Sequence, residues 1–258
     1  MEHIITHDNG AVRSVGVDEL VDVPFVRHQV DPSLVEGAWR SGDAAVVLAR
    51  RLLPGGPVLA VHGFGDAADL APLLERLAAR GVRPDRVMVD ADAAVVPDAW
   101  PLTELRSWHW MLTTRPAPAP EADVEVVADE ADVAALLDRV SPDSLARPGT
   151  PGIEAWLGIR HDGALVATGG VLRQPDGTGH VRAVAVDPAH RGRGLGRDVS
   201  RAVTRAAMAD TGVCSLGVYT DNDPALRIYG DLGYAVAHTF RSGPVNGSTM
   251  TSAAAPSR

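Results

Sequence analysis

VRAVAVDPAHRGRGLGRDVSRAV, Val181 to Val203, is the most informative stretch of this chain. It opens as an apolar strand that stops at Asp187-Pro188. A short loop follows, with Arg191, Gly192, Arg193, Gly194 and Gly196, and a long helix over about Gly194 to Asp210 begins inside it. Leu195, Val199, Ala202, Val203 and Ala206 fall on one stripe of that helix. Glycines clear the way for a ligand to approach the backbone. The first N–H groups of a helix have no partner within it, and the helix dipole adds partial positive charge at that end. Strand, glycine loop and helix start therefore form an anion site suited to a pyrophosphate, with Arg191 and Arg193 adding full charges nearby. The glycines stand at 192, 194 and 196, so the dinucleotide fingerprint G-x-G-x-x-G fails; a Walker loop fails because the chain has no Lys. What remains is Arg-x-x-Gly-x-Gly over Arg191 to Gly196.

Outward from this loop the C-terminal half reads as one domain. Upstream lie a strand at Val124 to Ala128, a helix at Asp132 to Arg139 and three strands, GIEAWLGIRHD, GALVATGGVLRQ and GTGHVRAVAVD. The turns between them, His161-Asp162-Gly163 and Gln174-Pro175-Asp176-Gly177, are hairpin signals. Downstream come a strand at Ser215 to Tyr219, a helix that Asp223 would cap with Pro224 at its first position, and a strand from Tyr234. Within TDNDPALRIYGDLGY, Thr220 to Tyr234, Asn222 and Ala225 are followed by Tyr229, Leu232, Gly233 and Tyr234.

These two segments, with the order of elements around them, resemble the GNAT N-acetyltransferase superfamily from about Asp123 to Arg241. The resemblance implies the GNAT acyltransferase fold and acetyl-CoA as co-substrate, with no metal. Val184, Ala185 and Val186 match the splayed central strand, whose backbone meets the pantetheine arm. Arg191, Gly192, Arg193, Gly194, Leu195 and Gly196 match the pyrophosphate cradle, and Asn222 matches a side chain that touches the cofactor arm. Tyr229 matches the tyrosine that protonates the leaving thiolate. A phenol of pKa ~10 suits a thiol of pKa ~8.5–10 as general acid. Many members carry a general base as a Glu on the central strand, or use water relays. This strand has no carboxylate before Asp187, so His180 is the candidate base and Glu154 a second. The implied reaction is direct attack of a small-molecule or peptide amine on acetyl-CoA. A CoA-binding sensor without turnover and a transferase for a longer acyl-CoA are the alternatives.

The N-terminal half is also α/β. Ala44 to Leu52 and Pro57 to Phe64 suit buried strands, and Leu70, Leu73, Leu74 and Leu77 keep helical spacing up to Gly81. RVMVD and Ser107 to Thr113 read as further strands. His62-Gly63-Phe64-Gly65 follows a strand as the oxyanion loop of a hydrolase would, but no G-x-S-x-G occurs. Strand, glycine and helix instead suggest a divergent GNAT-like copy that lost its Arg-x-x-Gly-x-Gly loop. The expected organisation is an N-terminal α/β domain at 1–115, a Pro/Ala linker at 116–122, the GNAT domain at 123–241 and a disordered tail at 242–258. Trp100, Trp108 and Trp110 read as core more than as an acceptor pocket.

Composition limits partners. The 258 residues carry a net charge of −9, which argues against nucleic acid. No apolar run is long enough to span a bilayer, and MEHIITHDNG lacks a secretory pattern, so a cytoplasmic protein is expected. All basic residues are Arg, which reads as the codon bias of a GC-rich bacterium. Arg193, Arg197, Arg201 and Arg205 repeat every four residues, the mark of a solvated helix face, with only the first one or two near phosphate. The single cysteine, Cys214, reads as a buried apolar residue. A monomer or a homodimer fits equally.

Overall fold

The computed structural model describes residues 12–53, 56–93 and 96–246. In chain order the elements are β1 (Arg13–Ser14), α1 (Pro24–Gln29), β2 (Val35–Ser41), β3 (Ala44–Leu53), β4 (Gly56–Phe64), α2 (Ala67–Ala79), β5 (Arg86–Asp90) and β6 (Arg106–Thr113). Then follow β7 (Glu125–Val126), α3 (Glu130–Val140), β8 (Ile153–His161), β9 (Ala164–Arg173), β10 (Gly179–Val186), α4 (Leu195–Ala207), β11 (Cys214–Tyr219), α5 (Asp223–Asp231) and β12 (Ala235–Pro244). The fold is mixed α/β. No helix among the described residues is long and apolar enough to cross a membrane.

The described residues form two compact units, 12–109 with 237–246, and 110–236. These divisions fall short of 115 and 241, where sequence composition placed the boundaries. β12 runs to Pro244, into the stretch expected as tail; the tail beyond 246 lies outside the described residues. The Pro/Ala stretch is no free spacer either. Ala117 is buried, and its carbonyl accepts from Arg205 Nη1 at 2.9 Å. The Asp198 carboxylate accepts from the N–H groups of Glu121 (2.9 Å) and Ala122 (3.3 Å). Alternating Pro and Ala leaves backbone groups unpaired within the segment, and α4 supplies their partners.

In the second unit β7, β8, β9 and β10 run antiparallel in sequence, and β11 lies parallel to β10. Helix α4 makes the crossover. Val199, Val203 and Ala207 carry its apolar stripe into a core with Val171, Leu216 and Leu232. On the opposite face α3 buries Val133, Leu136 and Leu137 against Trp156 and Leu165.

The first unit repeats this order. β2, β3 and β4 are antiparallel, α2 crosses over, and β5 lies parallel to β4. Leu70, Leu73, Leu74 and Leu77 of α2 pack on Val46, Val61 and Val89. β12 then adds antiparallel to β5, from Phe240 opposite Asp90 to Pro244 opposite Arg86. Phe240 closes an aromatic cluster with Phe25 of α1, Phe64 and Trp108. Trp100 and Trp110 are fully buried and serve as core, while Trp108 is half-buried and its indole N–H donates to Ser242 Oγ at 3.0 Å.

Candidate functional site

Strand β10 has two neighbours but keeps only one along its length. It pairs with β11 through Gly179, His180 and Val181 alone, opposite Cys214, Ser215 and Leu216. Its pairing with β9 continues to Val186, across a register shift between Arg182 and Ala185. The shift centres on Ala183, a non-glycine residue at φ 48°. An extra residue in one strand bends it and sharpens its twist, which turns β10 away from β11. The Asp187 N–H donates to the Val166 carbonyl of β9 at 2.8 Å. By antiparallel alternation the polar groups of Ala185 also face β9, while those of Val184 and Val186 face the open edge. Of the three strand residues singled out from the sequence, Ala185 is therefore turned away, and its side chain is buried on the α3 side.

The open edge leads into the glycine loop. Asp187 Oδ1 accepts from the Ala189 N–H at 2.9 Å and starts the turn. That hydrogen bond, with Arg139 and His190 nearby, holds the Asp187 carboxyl below its ordinary range. Gly192 (φ 75°) and Gly194 (φ 81°) are left-handed, and a side chain at either would be strained. Gly194 caps α4 with no side chain, so no carboxylate or hydroxyl fills the helix start. Among the described residues no acceptor meets the N–H groups from Gly192 to Gly196. Residues 191–194 are exposed, as an anion site requires. Arg191 Nε reaches the Val186 carbonyl at 3.4 Å, which folds the arginine along the open edge.

The remaining arginines of α4 are bound to protein groups. Arg197 pairs with Asp231 at 2.7 Å, Arg201 with Glu121 at 2.7 Å and Asp198 at 3.1 Å, and Arg205 holds Ala117. The face is solvated at Arg197 and Arg205, as its spacing implied, and its arginines also anchor neighbouring segments. Arg191 and Arg193 stay beside the loop.

Tyr229 comes from α5 and is 8% exposed. Its ring stands edge-on to Tyr234, with centroids 5.8 Å apart. Burial pushes the Tyr229 phenol up to about 12, with the Ser200 hydroxyl of α4 pulling the other way. Behind it Tyr234 donates to Cys214 Sγ at 3.1 Å and shares a hydrogen bond with Thr204 Oγ1 at 3.0 Å. Burial raises the Cys214 thiol to about 11. Ser200 and Thr204 were overlooked in the sequence. The signal was there: two hydroxyl residues four apart beside an otherwise apolar helical stripe.

His180 lies elsewhere. It is 2% exposed and its Nδ1 is 2.7 Å from Ser215 Oγ, inside the paired part of β10. It stands four residues before Val184, about 13 Å along a strand, so the structure does not bring it to the open edge. Glu154 is bound by Arg173, at 3.0 Å. Asn222, not Asp223, caps α5, with its Oδ1 accepting from the Ala225 N–H at 3.2 Å. Its amide nitrogen is the group left for a ligand.

The first unit has filled its counterpart of the loop. Asp66 caps α2 and accepts from the Asp69 N–H at 3.1 Å, and Asp90 accepts from Gly65 N–H at 2.9 Å. β4 and β5 also stay paired to Gly63 and Val89, so no edge opens. Carboxylates occupy the donors that an incoming phosphate would need.

A splayed strand feeding an unfilled helix start is the arrangement the second unit presents to an anionic ligand. Residues 104–234 match the profile described as "Acetyltransferase (GNAT) family". The chain belongs to that family. It is 30% identical over 236 residues to a protein named mycothiol acetyltransferase from Thermomonospora curvata, covering 83% of this chain and 77% of that one. It is 39% identical over 82 residues to N-alpha-acetyltransferase RimI of Mycobacterium tuberculosis, covering 31% of this chain and 51% of that protein, so the chain spans about half that relative's length. Among solved structures, a GNAT-family acetyltransferase from Novosphingobium aromaticivorans superposes with a TM-score of 0.57 at 20% identity, covering 91% of this chain and 97% of that one. One from Sphaerobacter thermophilus gives 0.54 at 14%, covering 92% and 96%. These likenesses extend the family's fold over both units.

Proposed function

We propose that the second unit transfers an acetyl group from acetyl-CoA to an amine of a small molecule or peptide. The observation that carries this is the edge of Val184 and Val186 running without interruption into the unanswered N–H groups of Gly192 to Gly196. Acetyl-CoA supplies an activated thioester. Loop N–H groups, with Arg191 and Arg193, hold its pyrophosphate. The backbone of Val184 and Val186 takes the amides of its arm, and the Asn222 amide assists.

The amine nitrogen attacks the thioester carbonyl; the C–N bond forms and the C–S bond breaks. The Tyr229 phenol donates its proton to the leaving sulfur. With its pKa pushed up to about 12, it remains protonated throughout the neutral range. The proton lost from nitrogen goes to water, since His180 and Glu154 are engaged away from the edge.

Thiol release from acetyl-CoA with an amine panel tests this. Amine-dependent release is expected. Tyr229→Phe should lower kcat by at least ~10²-fold, the lower end of general-acid effects, with KM for acetyl-CoA nearly unchanged. Wild-type turnover in that variant would remove Tyr229 from the mechanism. Tight CoA binding without amine-dependent release would make the protein a sensor.

A further inference from the structure

Arg182 stands where β10 leaves β11. The last registered pair of the two strands is Val181 with Leu216, so Arg182 is the first residue of β10 beside the opening. Its face follows from its neighbours. It lies opposite Gly170 of β9, and Gly170 lies opposite Trp156 of β8. Residues directly opposite across a ladder share a face. Trp156 belongs to the α3-side cluster with Ala183 and Ala185, whereas Val181 and Val184 pack on the α4 side. A Cβ on Gly170 would meet the Trp156 ring at 3.1 Å, so the indole lies over Gly170 and walls the strand next to Arg182.

The charge on Arg182 is unmatched. The residue is half-buried, and no ion pair or hydrogen bond of its guanidinium exists among the described residues. Burial alone, with no opposing carboxylate, pulls it down to about 10, so it is still a cation at neutral pH. Acids of α3 that form ion pairs are taken elsewhere: Asp132 by Arg160 and Asp138 by Arg147, each at 2.6 Å. The indole N–H of Trp156 is a second buried donor on this face without an acceptor among the described residues. A partly desolvated guanidinium without a counter-charge is costly unless a ligand provides one. Its planar fork fits a carboxylate.

We propose that Arg182 binds a carboxylate of the acceptor, which makes the substrate class an amine that carries a carboxylate, an amino acid or a short peptide. This rests on the acetyl-transfer reading above. Tyr229 packs in the α4-side core, and Arg182 faces the α3 side where β10 leaves β11. An acceptor entering from the α3 face sets its carboxylate on Arg182 and its amine toward the acyl group. A dicarboxylic acyl donor would offer the same chemistry from the other reactant.

The test compares amino acids with their carboxamides in the acetyl-CoA thiol-release assay. The acids should show kcat/KM at least ~10-fold higher, as a charge-assisted bidentate pair provides. Arg182→Gln should bring the ratio toward one by raising KM for the acids, and Arg182→Lys should keep part of it. Equal kcat/KM for acid and amide in the wild type, or a preference that survives in Arg182→Gln, overturns the inference. A preference for succinyl-CoA over acetyl-CoA that Arg182→Gln abolishes would move the carboxylate to the donor and overturn the acceptor assignment. If no amine releases thiol, the acetyl-transfer reading fails by itself. Calorimetry of the CoA-loaded chain then decides for Arg182: acids that bind where amides do not, and only with Arg182 present, support the site, and acids that do not bind overturn it.

Discussion

Two buried titratable side chains illustrate how burial acts on opposite charge types. Tyr229 is neutral when protonated, so burial raises its pKa and keeps the acid form that the proposed chemistry uses. His62 is neutral when deprotonated. Burial, with the Arg51 charge a smaller cause, lowers it to about 3. Both of its ring nitrogens are buried without a hydrogen-bond partner among the described residues. The unfolded chain protonates His62 near its ordinary 6.5, whereas the folded chain does so only near 3. The His62 contribution is therefore complete above about pH 6.5 and is lost as pH falls toward 3. Urea unfolding between pH 6.5 and 4 should show stability falling with a His62 share of up to about 1.4 kcal/mol per pH unit. His62→Leu should flatten that limb; an identical slope in the variant would mean the ring gains a proton or a partner in the folded state. At this scale the sequence was only partly legible. Tyr229 could be picked out because its motif is local. Arg182 and Ser200 could not, since their meaning depends on which groups the fold brings to them or keeps away.

Helix α4 is the element that organises the second unit. One face fills the core, its first turn closes the glycine loop, and Asp198, Arg201 and Arg205 hold residues 117–122. Asp198 is 8% exposed and accepts from two backbone N–H groups as well as from Arg201. Asp198→Ala should destabilise the chain by about 1 kcal/mol, the loss of hydrogen bonds to part-buried donors. Asp198→Asn keeps one acceptor oxygen and should cost less. Denaturation midpoints that do not move in Asp198→Ala would show that the segment needs no anchor. Long periodic elements such as α2 and α4 were readable from spacing. α1 and β2 were not, because six or seven residues are too short for a period to stand out. The cap of α5 was misplaced by one residue, since Asn222 and Asp223 are equally good capping types and only backbone geometry chooses between them.

Across the whole chain the same order of strands and crossover helix occurs twice, with opposite fates at the helix start. In the first unit Asp66 and Asp90 occupy the donors and β4 stays paired with β5. In the second the donors are unanswered and β10 parts from β11. The first unit, expected from the sequence to be a divergent copy, thus carries carboxylates at its helix start where the second carries none. The domain limits were less legible because β12 returns to the first unit after the second is complete, and local composition carries no trace of a return. The most direct measurement is a calorimetric titration of acetyl-CoA into the wild type and into an Arg191→Glu, Arg193→Glu variant. A single equivalent per chain is expected, with affinity at least ~10-fold weaker in the variant. Two equivalents per chain, or unchanged affinity in the variant, would contradict the assignment of the acyl-CoA to the loop of the second unit.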